Sequence, residues 1–319
     1  MPCHKESSEF RVPSSESRTE GRLFAKRNSK PGTRNPKPRA RVPRARGVTL
    51  VEMIVVIAIT GILAAAVAVF IRRPVEGYID AARRAELSDI ADTALRRITR
   101  DLRTALPNSI RITAAGGVTY LEYLQTSGGG RYRAEVEDLG GAGNNILDFT
   151  AADSSFNVIG PMPTMAAGDS IVIYNLNWDP AIATANAYVG DNRAAYASNT
   201  ATTITLSAAT LFPFASPGKR FQVVQHPVTY ACDPVGARTV RRIAGYAIQA
   251  AQPNNVAAAP LSTAPSNTLL ATSITDCSFS YVAAGGATQR TGVVSLSLQV
   301  QQQGEQVRLF QQVHVNNLP

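Results

Sequence analysis

Three groups of residues in this 319-residue chain stand where side-chain chemistry is possible. The first is the run Arg46-Gly47-Val48-Thr49-Leu50-Val51-Glu52. A glycine marks the border between a basic segment and a hydrophobic one, and a carboxylate follows inside the hydrophobic one. Such an acid costs about 2.5–3.5 kcal/mol at the centre of a membrane-crossing helix, and less near its end. Glu52 lies four residues past Val48, about 6 Å along a helix. In those first turns the helix dipole favours an anion. The second group is Cys232 and Cys277, with Cys3 far upstream. The third is His226 and His314, the histidines that follow residue 47.

Other chemistries find little support. No His-x-x-x-His or Cys-x-x-Cys spacing suggests zinc. A Ser–His–Asp hydrolase would need His226 or His314, and no Gly-x-Ser-x-Gly elbow is present. Gly128–Gly130 and Gly140–Gly143 are not followed by Gly-Lys-Ser/Thr and open no helix, so they read as turns rather than phosphate cradles. Asp179, Asp191 and Asn192 offer oxygens to calcium, but they read better as turn formers in a solvated loop. Trp178, the single tryptophan, shares that loop with Tyr188, Arg193 and Tyr196. Aromatics beside polar side chains are common in binding surfaces; the alternative is that they pack on a sheet. No enzyme activity, cofactor or metal is expected.

Charge distribution removes another function class. The net charge of +9 invites a nucleic-acid reading. Residues 1–47 alone hold 13 Lys/Arg against 4 Asp/Glu, which leaves 19 of each downstream from totals of 32 and 23. The remainder is balanced, and no nucleic-acid partner is expected.

The elements that must position these residues are legible in the hydrophobic pattern. Residues 1–46 are rich in Arg, Lys, Ser and Pro and too poor in apolar side chains to offset ordering entropy, so they read as disordered. From Val48 to Ile71 only Glu52 is charged, and the 19 residues from Met53 span about 28 Å as a helix, enough to cross a bilayer. The leader's basic residues should keep the amino terminus cytoplasmic, opposed weakly by Arg72 and Arg73. Downstream, Ile79, Arg83, Leu87, Ile90, Ala94, Ile98, Leu102 and Ala105 recur at helical spacing among charged residues, an amphipathic pattern. The expectation is one long helix over about 48–106, kinked near Pro74 and ended by Pro107 and Asn108.

Beyond it the period becomes two, with strands expected at 110–113, 119–124, 131–136, 146–150, 170–174, 203–206, 220–225, 228–232, 239–243, 278–282, 293–301 and 306–315. Loops are expected at 126–145, 177–200 and 250–268. The fold class is α+β, a helix laid against antiparallel sheet. The organisation is a leader (1–47), a membrane helix (48–73), its amphipathic continuation (74–106) and a β-rich head (107–319). In an exported head, Cys232 and Cys277 have one possible pairing, the alternative being two unpaired buried thiols.

A secretory signal peptide has a shorter apolar core with its small cleavage residue after it. Here the small residue comes before the apolar run, with an acid just inside. This order resembles the prepilin leader shared by type IV pilins and type II secretion pseudopilins. The resemblance implies a type IV pilin-like fold. It also implies that a prepilin peptidase cuts after Gly47, that Val48 becomes a methylated amino terminus, and that Glu52 is the assembly acid. Val48 departs from the family's commonest residue there, phenylalanine. The run Val75–Ile112, with Gly129–Arg133, Phe212–Val224, Val228–Pro234, Cys277–Tyr281 and Gln312–Asn317, is similar to the minor pilin-like MshO group of mannose-sensitive haemagglutinin (MSHA) type pili. The implied partners are other pilin subunits, an inner-membrane assembly platform and the lipid bilayer. The implied location is a single-pass inner-membrane protein with a periplasmic head, later displayed on the pilus. A type II secretion pseudopilin and a tethered periplasmic binding protein or adhesin are the competing readings.

Overall fold

The computed structural model describes residues 47–136, 145–182, 184–283 and 291–319. The disorder expected of residues 1–46 and the turn expected at Gly140–Gly143 lie outside them. The chain divides into Met1–Ile62 and a larger unit, Leu63–Pro319.

Helix α1 spans Leu50–Leu102, with Pro74 inside it. It is the one helix among the described residues long and apolar enough to cross a membrane. Thr49 caps it: its Oγ1 accepts the Glu52 N–H at 3.2 Å, and its carbonyl accepts the Met53 N–H at 3.1 Å. The helix therefore begins two residues later than the pattern suggested. It also ends earlier than 106. The Thr104 and Ala105 N–H groups turn back onto the carbonyls of Asp101 and Leu102, and the Leu106 N–H leaves for Leu124. Asn108 then turns the corner at φ 57°, its side-chain amide donating to the Asn175 carbonyl at 2.9 Å.

Twelve strands follow: β1 (Arg111–Ala115), β2 (Val118–Tyr132), β3 (Asp153–Ile159), β4 (Ser170–Ile173), β5 (Arg193–Asn199), β6 (Thr203–Thr210), β7 (Arg220–Asp233), β8 (Thr239–Ala244), β9 (Ser266–Ala271), β10 (Ile274–Val282), β11 (Thr291–Gln302) and β12 (Glu305–Asn316). All their pairings are antiparallel. β2 and β7 are long and pair along most of their length, so each serves two layers. Their first shared half, with β1, β8 and β9, forms one face of a core completed by α1 and by the separate β10-β11-β12 sheet. Leu87, Ala91, Ala94, Leu95, Ile98 and Leu102 of α1 fill it against Tyr123, Tyr230, Leu296 and Leu298. Their second shared half closes a circuit through β3, β6, β5 and β4 around Phe156, Ile171, Ile204 and Phe221.

Several expected boundaries are corrected by this arrangement. Gly128–Gly130 lie within β2, not in a turn. A Cβ at Gly129 would come 2.5 Å from the Phe221 carbonyl oxygen, and one at Gly130 2.8 Å from the Phe221 ring. Glycine at 129 and 130 leaves room for the paired β7 strand at Phe221 and Gln222. The two strands expected at 220–225 and 228–232 are one, with Pro227 inside β7 opposite Leu124, next to a register shift in β2. Residues 146–150 are not a strand, because Asp148 Oδ1 accepts both the N–H and the hydroxyl of Thr150 at 2.7 Å and turns the chain. Residues 133–136 also fall outside β2, whereas β3, β5 and β9 were not expected at all.

Three tethers join the layers. Cys232 on β7 and Cys277 on β10 form a disulfide, closing a separation of 45 residues. Asp101, in the last turn of α1, opposes the helix dipole. Arg242 offsets this at 2.7 Å and Arg97 at 3.2 Å, and Tyr230 donates its hydroxyl at 2.8 Å. On the other face of β2, Arg111 and Glu122 form a fully buried pair at 3.0 Å. Arg111 also donates to the carbonyls of Ala250 (2.6 Å) and Gln249 (2.9 Å), and its guanidinium lies 3.5 Å from the Tyr188 ring centroid. Burial pushes the Glu122 carboxyl up, and the neighbouring Arg111 opposes that rise.

Two stability predictions follow from these tethers. Replacing both Cys232 and Cys277 by alanine should cost about 4 kcal/mol, read from denaturant unfolding; a loss under about 1 kcal/mol contradicts the tether's role. Arg111→Met should cost about 3–5 kcal/mol, because it strands a buried carboxylate, whereas adding Glu122→Leu should recover most of that loss. A double variant as unstable as the single one contradicts the pairing.

Candidate functional site

The site suggested by the sequence lies at the head of α1. Gly47, Val48 and Thr49 precede the helix and Leu50 opens it. Thr49-x-x-Glu52 has the spacing of a capping box, with the N–H of the acid already bound by the cap hydroxyl. Glu52 is thus fixed in the first turn, where the dipole favours its charge. A Cβ at Gly47 would meet nothing within 4 Å among the described residues, and its φ lies outside the left-handed region. The fold gives no reason for glycine at that position.

Apart from Glu52 and Thr60, the flanking helix surface is apolar and exposed. Val48 is 63% exposed, Leu50 75%, Ile62 70% and Phe70 80%. Beyond the Thr49 cap, the one hydroxyl in this stretch, on Thr60, is satisfied internally by the Val56 carbonyl at 2.7 Å. Gly61 sits mid-helix, where a Cβ would also meet nothing, although glycine costs about 1 kcal/mol there.

The second candidate group is dispersed. Tyr188 is buried beneath Arg111 and donates its hydroxyl to the Ser109 carbonyl at 2.8 Å, so it is unavailable to an external ligand. Tyr196 bonds Asn199 at 2.5 Å. Trp178 is 38% exposed. Arg193 is not in a loop but opens β5. The oxygens considered for calcium serve the backbone instead. Asp191 accepts the N–H groups of Ala185 and Asn186, and Asp179 accepts that of Ala181. Asn192 is buried beside Asn175. Among the described residues no group of three His, Cys, Asp or Glu side chains converges. Ser170 and His226 line one cavity, yet no hydrogen bond joins them among the described residues.

Residue-level reading missed the Arg111–Glu122 pair and the Asp101 hub. A signal for the first existed: Tyr120, Glu122 and Leu124 alternate on one face of β2, which puts a charge where its neighbours are apolar. The partner of that charge comes from β1, through the register Arg111↔Glu122.

Residues 43–68 match the family model described as the prokaryotic N-terminal methylation motif. No curated protein and no solved structure matches the chain. The motif supports a type IV pilin-like or pseudopilin-like protein, a class of structural subunits handled by prepilin peptidase and assembled with other pilins. It fits membrane anchoring through the apolar helix with a soluble carboxy-terminal part.

Because a Cβ at Gly47 would meet nothing among the described residues, Gly47→Ala should leave unfolding of the Leu63–Pro319 unit unchanged to within about 0.5 kcal/mol. Denaturant titration followed by Trp178 fluorescence checks this. A loss above about 1 kcal/mol would assign the glycine a folding role.

Proposed function

We propose that this chain is a minor pilin-like structural subunit that takes part in assembling an MSHA-like type IV pilus. Prepilin peptidase cuts between Gly47 and Val48, and the new amino terminus is methylated. The cut subunit sits in the inner membrane by residues 48–73, with its head in the periplasm. It then passes through the assembly platform into a filament and so reaches the cell surface.

The observation that carries this reading is the methylation motif over 43–68 on a helix that continues without a break into the packed head. A tethered binding protein needs an anchor, but it has no use for a contact-free glycine at the border or a carboxylate in the first turn. Cleavage creates a cation at Val48. In a filament the Val48 amine of one subunit pairs with Glu52 of a neighbour as both leave the bilayer. An unpaired charge there is penalised, so only the register that pairs them is stable. Exposed Gly61 supports the same picture, since small residues let neighbouring helices approach closely.

Support for the MSHA branch comes from the likeness of Val75–Ile112 and of the head segments to that group. The competing pseudopilin reading uses the same leader and helix. Deletion separates the two: loss of surface pili with secretion intact supports the pilus, and loss of secreted enzymes with pili intact supports the pseudopilin.

Glu52→Ala should leave processing intact and reduce the subunit's incorporation into filaments by about tenfold or more, since an unmatched charge costs about 3–5 kcal/mol. Immunoblots of sheared filaments against whole cells measure this. Undiminished incorporation contradicts the pairing.

A further inference from the structure

One edge of β7 is shared by two strands that do not meet. β4 pairs with Phe221–Val224 and β8 with Val228–Asp233. Gln225, His226 and Pro227 face the gap, which opens into a cavity of about 540 Å³. That volume lies within the usual range of small-molecule sites, about 300–1,000 Å³. Its polar lining comes from four places: Asp169 and Ser170 at the start of β4, Arg193 at the start of β5, Gln225 and His226 on β7, and Tyr246 after β8.

The charges in this cavity are arranged unevenly. Arg193 is largely withdrawn from water, and burial alone pulls its guanidinium below the ordinary value. No carboxylate pairs with it among the described residues. Gly190, at φ 101°, leaves room beside it: a Cβ there would lie 3.4 Å from the guanidinium. Asp169 is buried and acts on His226 instead, with one oxygen held by the Ala166 N–H at 2.8 Å. Burial pushes the His226 imidazole down, as does the Arg242 guanidinium, so it is neutral near pH 7 and offers both a donor and an acceptor. The cavity therefore combines a cation with neutral and acceptor groups, the latter suited to hydroxyls.

We propose that the cavity at the fork between β4 and β8 binds a small hydroxylated carboxylic acid of sugar-acid type. Arg193 receives the carboxylate in its planar fork, and Ser170, Gln225, His226 and Asp169 bind the hydroxyls. A single guanidinium matches one carboxylate in a bidentate pair, and the Asp169 carboxyl in the lining disfavours a second negative charge. The proposal is independent of the filament role, because every residue in it belongs to the head.

The test is calorimetric titration of the full chain in detergent with D-glucuronate, D-glucose and acetate. Glucuronate should bind about tenfold or more tightly than either of the others. Arg193→Gln should weaken it by about ten- to hundredfold, the scale of a charge-assisted hydrogen bond. Thermal unfolding of that variant shows whether it is folded. If it is not, Ser170→Ala and Gln225→Ala serve in its place, each expected to weaken glucuronate several-fold. Absence of glucuronate binding overturns the proposal. So does acetate or glucose binding equally well, or affinity unchanged in the folded variants.

Discussion

A run of exposed apolar side chains at the start of α1 constrains everything else about this molecule. Fifteen large hydrophobic residues from Val48 to Ile71 are exposed. Removing one such side chain from water is worth about 1.5–3 kcal/mol. Their sum exceeds the roughly 5–15 kcal/mol that holds a typical domain together. No folded head compensates for leaving that surface in water, so lipid or other apolar helices must cover it. Of those two environments, a bilayer tolerates Glu52 only near its edge, and a bundle of sister helices tolerates it only with a cation at hand. Under the proposed cut after Gly47, a single acid near the new amino terminus would satisfy both, because the cut would supply the cation.

The head meets a different constraint, which is to attach securely to the far half of the same helix. Hydrophobic packing through Leu87, Leu95 and Ile98 supplies area. Direction comes from polar contacts, notably Asp101 held by Arg97, Arg242 and Tyr230. Further down α1, Arg84 reaches Glu305 at the start of β12, at 2.6 Å. β2 and β7 then carry that attachment outward into the second core, with the disulfide and the Arg111 pair closing the layers around them. The cavity at the β4–β8 fork arises where two strands share one edge of β7, and it is lined by Arg193, whose guanidinium meets no carboxylate among the described residues.

What could be read from the residues follows the physics that acts locally. The apolar run, the amphipathic stretch after it and the period-two strands β11 and β12 are set by neighbours in sequence, and the structure places helix and strands there. Strands β3 and β5 were hidden because Asp153, Ser154 and Ser155, or Ala194 and Ala195, carry little strand preference, and their pairing partners decide the matter. Gly128–Gly130 misled for a related reason: the need for glycine at 129 and 130 arises from Phe221, some ninety positions away. Likewise Tyr188 read as a surface aromatic until Arg111 supplied a cation for its ring. The motif at the helix head was legible because Gly47, the apolar run and Glu52 are contiguous. The fork cavity was not, since its lining comes from four separate segments.

The central claim is that the chain is cut so that a free amine arises beside Glu52. Intact-mass and peptide mass spectrometry of the protein, purified from cells that contain prepilin peptidase, tests it most directly. The account predicts an amino-terminal peptide that begins at Val48 and carries one methyl group. A chain that keeps Arg46 and Gly47 in the presence of the peptidase contradicts it, and leaves α1 as a plain anchor.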